Sequence, residues 1–166
     1  MPASIHERRI AIGSIAACVG VMAWLISRGH KVGTHGSIDF FDFYWAAEAF
    51  PRDDIYAVGD PGYIYPPLLA FLMQPLTLLG GTAAATLWVF LNAALAAFLC
   101  WLGVDTARRA LDIAWPRERT IIASCASFLF LADGFRNELE WGNCNLIILA
   151  AVLLAIRWIV TRPILA

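Results

Sequence analysis

Charge is what this chain has least of. Charged residues make up 15% of its 166 positions and apolar ones 60%, whereas a soluble domain is nearer a quarter charged and half apolar. The imbalance excludes an ordinary soluble domain and places the chain in the membrane class. The net charge is −1 and no dense run of Lys and Arg occurs, which excludes nucleic acid as a partner. Cysteine is thin as well: Cys18, Cys100, Cys125 and Cys144 stand far apart with no CxxC pair. A disulfide framework or zinc site is thereby excluded, and the thiols read as small buried hydrophobes. The chain has no internal repeat, a feature expected of a transporter. Nor does a small-x-small cleavage site follow the first apolar run, whose exit, SRGHK, is basic. The N-terminal run therefore reads as a retained signal anchor rather than a removed signal peptide.

What the chain does contain is five apolar segments, at about 10–27, 64–79, 83–104, 120–132 and 146–160. The first and third have the roughly 18–22 residues that cross a hydrocarbon core of about 30 Å at 1.5 Å per residue. The others are short and need polar flanks or close packing to cross. Pro66-Pro67 suits a first helical turn, Gly80-Gly81 a helix stop, and Pro116 breaks the polar stretch 105–119. The fold expected over 1–166 is all-α. It is a polytopic membrane protein of four to five transmembrane or re-entrant helices, multi-pass in the plasma membrane, with an interfacial helix in a first outer loop, 28–63. If all five segments cross from an inside N-terminus, the four arginines of 105–119 lie outside, against the positive-inside rule. A re-entrant 64–79 removes that conflict, and a short tilted span remains the alternative. Either way the loop 28–63 lies outside the cytoplasm.

That loop carries six acids and three basic residues between Arg28 and Tyr63. Phe40, Phe43, Tyr44, Ala47 and Phe50 fall on one face of a helix at i, i+3, i+4, i+7 spacing, as an interfacial helix would have them. Asp39 and Asp42 sit among these rings. Carboxylates beside aromatic side chains at a bilayer surface are unfavourable unless solvated, paired or used.

Three stretches together resemble the family 87 glycosyltransferases: D-F-x-x-F-Y-W-A-A from Asp39, Y-x-Y-P-P-L-L-A from Tyr63, and Q-P-L-x-x-L-G from Gln74. The likeness continues through L-W-x-x-L-N at Leu87 and ends at W-G-N-C-N-L-I-I-L from Trp141, where Asn143 stands in place of the family's usual glutamine. The resemblance implies a membrane enzyme of GT-C architecture that transfers a hexose, usually mannose, from a polyprenyl phosphate to a lipid or glycan acceptor at the outer face. It further implies that this chain is the N-terminal portion of such an enzyme and is inactive by itself, a missing C-terminal portion or partner chain supplying the rest.

By the same resemblance Asp39 is the general base that takes the acceptor hydroxyl's proton. Asp42, one helical turn later, is its rival, and helix capping is the structural alternative for either acid. Tyr44, Tyr63, Tyr65, Arg136, Asn143 and Asn145 are the candidate substrate-binding residues. Arg28, Lys31 and Arg52 join Arg136 as cations for a phosphate, each otherwise a headgroup anchor. His30 and His35 near Asp39 lack regular ligand spacing, so no divalent metal and no cofactor is expected. The expected partners are membrane lipids and the lipid-linked sugar. Gln74 and Asn92 read as interhelical hydrogen-bonding residues, and Arg157 as a snorkelling cation. Two other classes compete: a transporter fragment, suggested by the re-entrant segment, and a catalytically inactive membrane scaffold.

Overall fold

Ser4 and Glu7 begin the first helix by reciprocal capping. The Glu7 amide donates to Ser4 Oγ at 3.1 Å, and the Ser4 amide donates to Glu7 Oε2 at 2.8 Å, satisfying two donors that a helix start leaves orphaned. Helix α1 then runs Ile5–Gly33, beyond the expected 10–27 at both ends. Hydropathy marks only the apolar middle, while backbone hydrogen bonding continues through the polar flanks. The computed structural model describes residues 3–33, 38–50, 54–58 and 62–162.

Helix α2 (Ile38–Ala49) is the helix expected in the first loop. A single 3₁₀ turn, Ile55–Ala57, follows, capped by Asp54, whose carboxylate accepts the Tyr56 amide at 3.0 Å. Helix α3 (Pro67–Thr77) opens with Pro67 in its first turn, where a missing N–H loses nothing. Gly80 precedes α4 (Gly81–Ala110), and Pro116 precedes α5 (Arg117–Phe130). Helix α6 (Ala132–Trp141) ends at Gly142, whose φ of 70° is the left-handed conformation a glycine stop adopts. Helix α7 spans Asn145–Thr161. All regular structure among the described residues is helical. Helix α6 fills the polar stretch between the apolar segments 120–132 and 146–160, where the sequence pattern marks no element.

Two cores hold these helices. In one, the aromatic face of α2 packs on α3 and on the first turns of α4. Phe40 and Phe43 are almost wholly buried there, with Trp88, Met73 and Tyr63. In the other, Leu25 of α1, Val89 and Leu99 of α4, Phe128 of α5, Leu139 of α6 and Leu146 of α7 meet. The face expected to lie against headgroups is therefore turned into protein, leaving Trp45 and Glu48 outward.

The bundle has two chemically distinct ends. At one, Arg119 pairs with Glu7 at 2.8 Å, and Arg157 of α7 pairs with Asp105 of α4. At the other, Arg28 meets Glu140 at 3.1 Å and His30 Nδ1 lies 3.2 Å from Thr86 Oγ1. Helices α1, α4, α5 and α7 run between them. Helix α3 does not. Tyr65, just before it, stacks edge-on against Phe43 at 4.8 Å. Gly81, just after it, lies so close to α2 that a Cβ there would meet the Phe41 ring at 3.2 Å. Both ends of α3 therefore stand beside α2, and its 11 residues reach only about 16 Å, half a hydrocarbon core. Two helices, α1 and α4, are long and apolar enough to cross a membrane by length and composition.

Candidate active site

Asp39 occupies the first turn of α2, where a carboxylate faces the positive end of the helix dipole. It is half-buried beside the fully buried Phe40, and that burial pushes its carboxyl above the ordinary aspartate range. Asp42 is half-buried one turn on. The two acids share their surroundings with Tyr65. Burial raises the Tyr65 phenol first, and the charges of Cys144, Asp39, Asp42 and Glu138 raise it further. The Cys144 thiol is likewise pushed up, chiefly by burial, with Glu138 and Asp39 adding to the shift.

Glu138 arrives from α6. One of its oxygens, Oε1, accepts the Asn145 side-chain amide at 3.2 Å. The other, Oε2, is buried without a hydrogen-bond partner among the described residues. The turn between α6 and α7 is pinned from α4 by Trp88, whose indole N–H donates to the Gly142 carbonyl at 2.8 Å. Segments far apart in sequence thus bring Asp39, Asp42, Tyr65, Glu138, Cys144 and Asn145 to one end of the bundle.

The remaining expected site residues are placed differently. Tyr44 is buried and bonds to Glu48 one turn along its own helix; burial first, then that carboxylate, raises its phenol. The Tyr63 hydroxyl donates to the Pro66 carbonyl at 2.9 Å and accepts the Ala70 amide at 3.1 Å. It fastens the start of α3, and burial foremost pushes its pKa up to about 12. Arg136 pairs with Asp133 at 3.0 Å. Two positions from Glu138 on α6, it points to the other side of that helix. The Asn143 backbone amide donates to the Glu138 carbonyl at 3.2 Å. Of the other cations, Arg28 is paired with Glu140, while Arg52 and His35 lie outside the described residues.

Two expectations for polar residues in the apolar helices need correction. The Asn92 amide bonds within its own helix, to the Trp88 carbonyl at 3.0 Å, because a carbonyl one turn back is the nearest acceptor. Arg157 does not simply snorkel; Asp105 gives it a buried carboxylate to pair with. Gln74 does bridge elements, donating to the Phe50 carbonyl at 2.9 Å. Sequence reasoning passed over Glu138 and Cys144 as site members. The signal that could have found Glu138 is the Phe135–Leu139 pair four apart, which marks an amphipathic helix and fixes which way residue 138 faces.

Chemically, carboxylates within electrostatic reach of one phenol can accept hydrogen bonds from hydroxyl groups and favour positive charge developing nearby. They repel a phosphate. The half-desolvated Asp39 suits proton abstraction, since its raised pKa makes it a stronger base than a free aspartate.

Neither a curated protein nor a solved structure matches the chain. A family model does: residues 63–166 match Glycosyltransferase family 87. The match begins at Tyr63, so it covers Tyr65, Glu138, Cys144 and Asn145 but stops short of Asp39 and Asp42. Well over half of the chain lies within it, and the chain belongs to glycosyltransferase family 87.

Proposed function

We propose that this chain carries the acceptor-activating part of a multi-pass membrane glycosyltransferase. The enzyme would move a hexose, mannose by the family resemblance, from a polyprenyl phosphate to a lipid or glycan acceptor at the outer face of the plasma membrane. Helices α1, α4, α5 and α7 would cross, with the arginine-rich end in the cytoplasm and the carboxylate cluster outside. Asp39 takes the proton from the acceptor hydroxyl. The freed oxygen pair bonds to the anomeric carbon as that carbon's bond to the phosphate oxygen breaks, and polyprenyl phosphate leaves with the electron pair. Tyr65, Glu138 and Asn145 line the acceptor side and receive or donate hydrogen bonds to its hydroxyls.

The observation that carries this reading is that α2, α6 and the Tyr65 segment pack together at one end of the bundle, where Asp39 stands half-buried in the first turn of α2. The test uses the protein in its own membranes. Deleting its gene should remove transfer of labelled sugar from polyprenyl phosphate sugar in isolated membranes, and the intact gene should restore it. Restoration with Asp39→Asn should leave at least about a hundredfold less transfer, the usual scale for losing a general base, with donor binding retained. Near-normal transfer by D39N would move the role to Asp42, and no change on deletion would end the reading.

A further inference from the structure

The arginine-rich end holds a second charged site, remote from the carboxylate cluster. Asp105 of α4 is 4% exposed and receives Arg108 Nη2 at 2.7 Å on one oxygen and Arg109 Nε at 2.9 Å on the other, which Arg157 Nη1 of α7 also reaches. One carboxylate thus faces three guanidinium groups, an excess of two positive charges. Each guanidinium carries five donors, so most point away from Asp105. Arg108 Nε is buried with no hydrogen-bond partner among the described residues. A staple joining α4 to α7 needs one arginine; three leave two positive charges uncompensated in a partly buried group, which favours another anion completing it.

The surroundings say where that anion comes from. Arg157 lies over the Trp101 ring at 5.7 Å and Arg162 over Trp158 at 4.1 Å, and both indoles are 40–60% exposed (Trp101 43%, Trp158 57%). Exposed tryptophans beside arginines mark the depth of lipid headgroups. The side chains of Arg108 and Arg157 retain 24% exposure and Arg109 46%, enough to reach an oxygen arriving from that level.

We propose that Arg108, Arg109 and Arg157, organised by Asp105 on the α4–α7 seam, bind the phosphodiester headgroup of one anionic phospholipid. The site depends on the membrane placement given above but not on the transfer chemistry. Its geometry supplies paired N–H donors for the phosphate oxygens and a net charge that zwitterionic headgroups would not neutralise.

The experiment is native mass spectrometry of the purified full chain in neutral detergent, titrated with phosphatidylglycerol and with phosphatidylcholine of the same acyl chains. The chain should retain one phosphatidylglycerol in preference to phosphatidylcholine. Arg109→Gln, the most exposed of the three, should lower that preference roughly fivefold, the weight of one basic residue near an anionic leaflet, with helix content by circular dichroism unchanged. Arg117→Gln, at the same end but outside the group, should leave it intact. Equal retention of both lipids, or an equal loss in R117Q and R109Q, would overturn the site in favour of diffuse charge. If R109Q disturbs the fold, Arg108→Lys, which keeps charge but loses the fork, must also lower the preference; no change there would overturn the proposal. Inorganic phosphate binding as tightly as the lipid would overturn the headgroup assignment. Failure of the membrane placement would be seen separately, as release of the chain from membranes by alkaline carbonate.

Discussion

Asp39 combines two properties that pull against each other. Burial raises its pKa in the folded chain, so folding favours its protonated form. Stability is therefore fully present below the ordinary aspartate value and is lost as pH rises from there through the raised folded value. A base works only when deprotonated, so transfer should fall as pH falls through the same raised value. Two outcomes follow from one cause. The acid limb of a pH–rate profile in membranes should lie above the range of a free aspartate. Detergent-purified Asp39→Asn should melt higher than the parent at neutral pH, with the gap closing as pH drops below the ordinary aspartate value. An acid limb at the free-aspartate position, or a D39N protein that melts lower at neutral pH, would show that Asp39 is stabilised as a carboxylate. Part of this residue's character was readable early, because Phe40 and Phe43, the rings beside it in sequence, are ones the fold buries. Glu138 and Cys144 were not, since only the packing of α6 and the Gly142 turn against Trp88 brings them across the chain.

Among the elements, the aromatic helix α2 and the proline-led α3 were foreseeable because local signals agree: apolar residues at helical spacing, and Pro67 where a first turn tolerates it. Helix α6 was missed for a physical reason. Asp133, Arg136, Glu138 and Glu140 lower its average hydropathy, and only Phe135 and Leu139 turn inward. Hydropathy finds segments that are apolar all round; amphipathic ones need periodicity. Apolar packing joins α2 to α3, while one hydroxyl fastens the start of α3 to the segment before it. Tyr63 both donates to Pro66 and accepts from Ala70, so removing that oxygen takes from the buried amide the acceptor it has in the fold. Tyr63→Phe should therefore destabilise the chain by about 1–3 kcal/mol, the usual consequence of orphaning a buried polar group, measured by thermal or denaturant unfolding in detergent. It should do so without moving the pKa of the base. A variant as stable as the parent would mean that water replaces the hydroxyl and that Tyr63 is free for a substrate.

At the scale of the whole molecule, the open question left by composition was whether segment 64–79 crosses. Charge counting favoured a re-entrant path, and length alone could not decide. The packing supports the proposed re-entrant path, because Tyr65 and Gly81, which bracket α3, both lie against α2. The arginines of 105–119 then stand together with Glu7, Arg8 and Arg157 at the opposite end, the distribution the positive-inside rule requires of a cytoplasmic face. The arrangement fixes what a membrane-impermeant thiol reagent should find in intact cells. Cysteines introduced at Glu48, on α2, and at Leu78, just past α3 and 86% exposed, should both be labelled from outside. One at Asp112, between α4 and α5, should react only after the membrane is opened. A spanning α3 gives a different pattern, with position 48 labelled and position 78 protected, because the chain would have crossed between them. Were that pattern found, α4 would have to run outward and carry Arg108 and Arg109 to the outer face, and the phospholipid site on the α4–α7 seam would face the wrong leaflet for its charge.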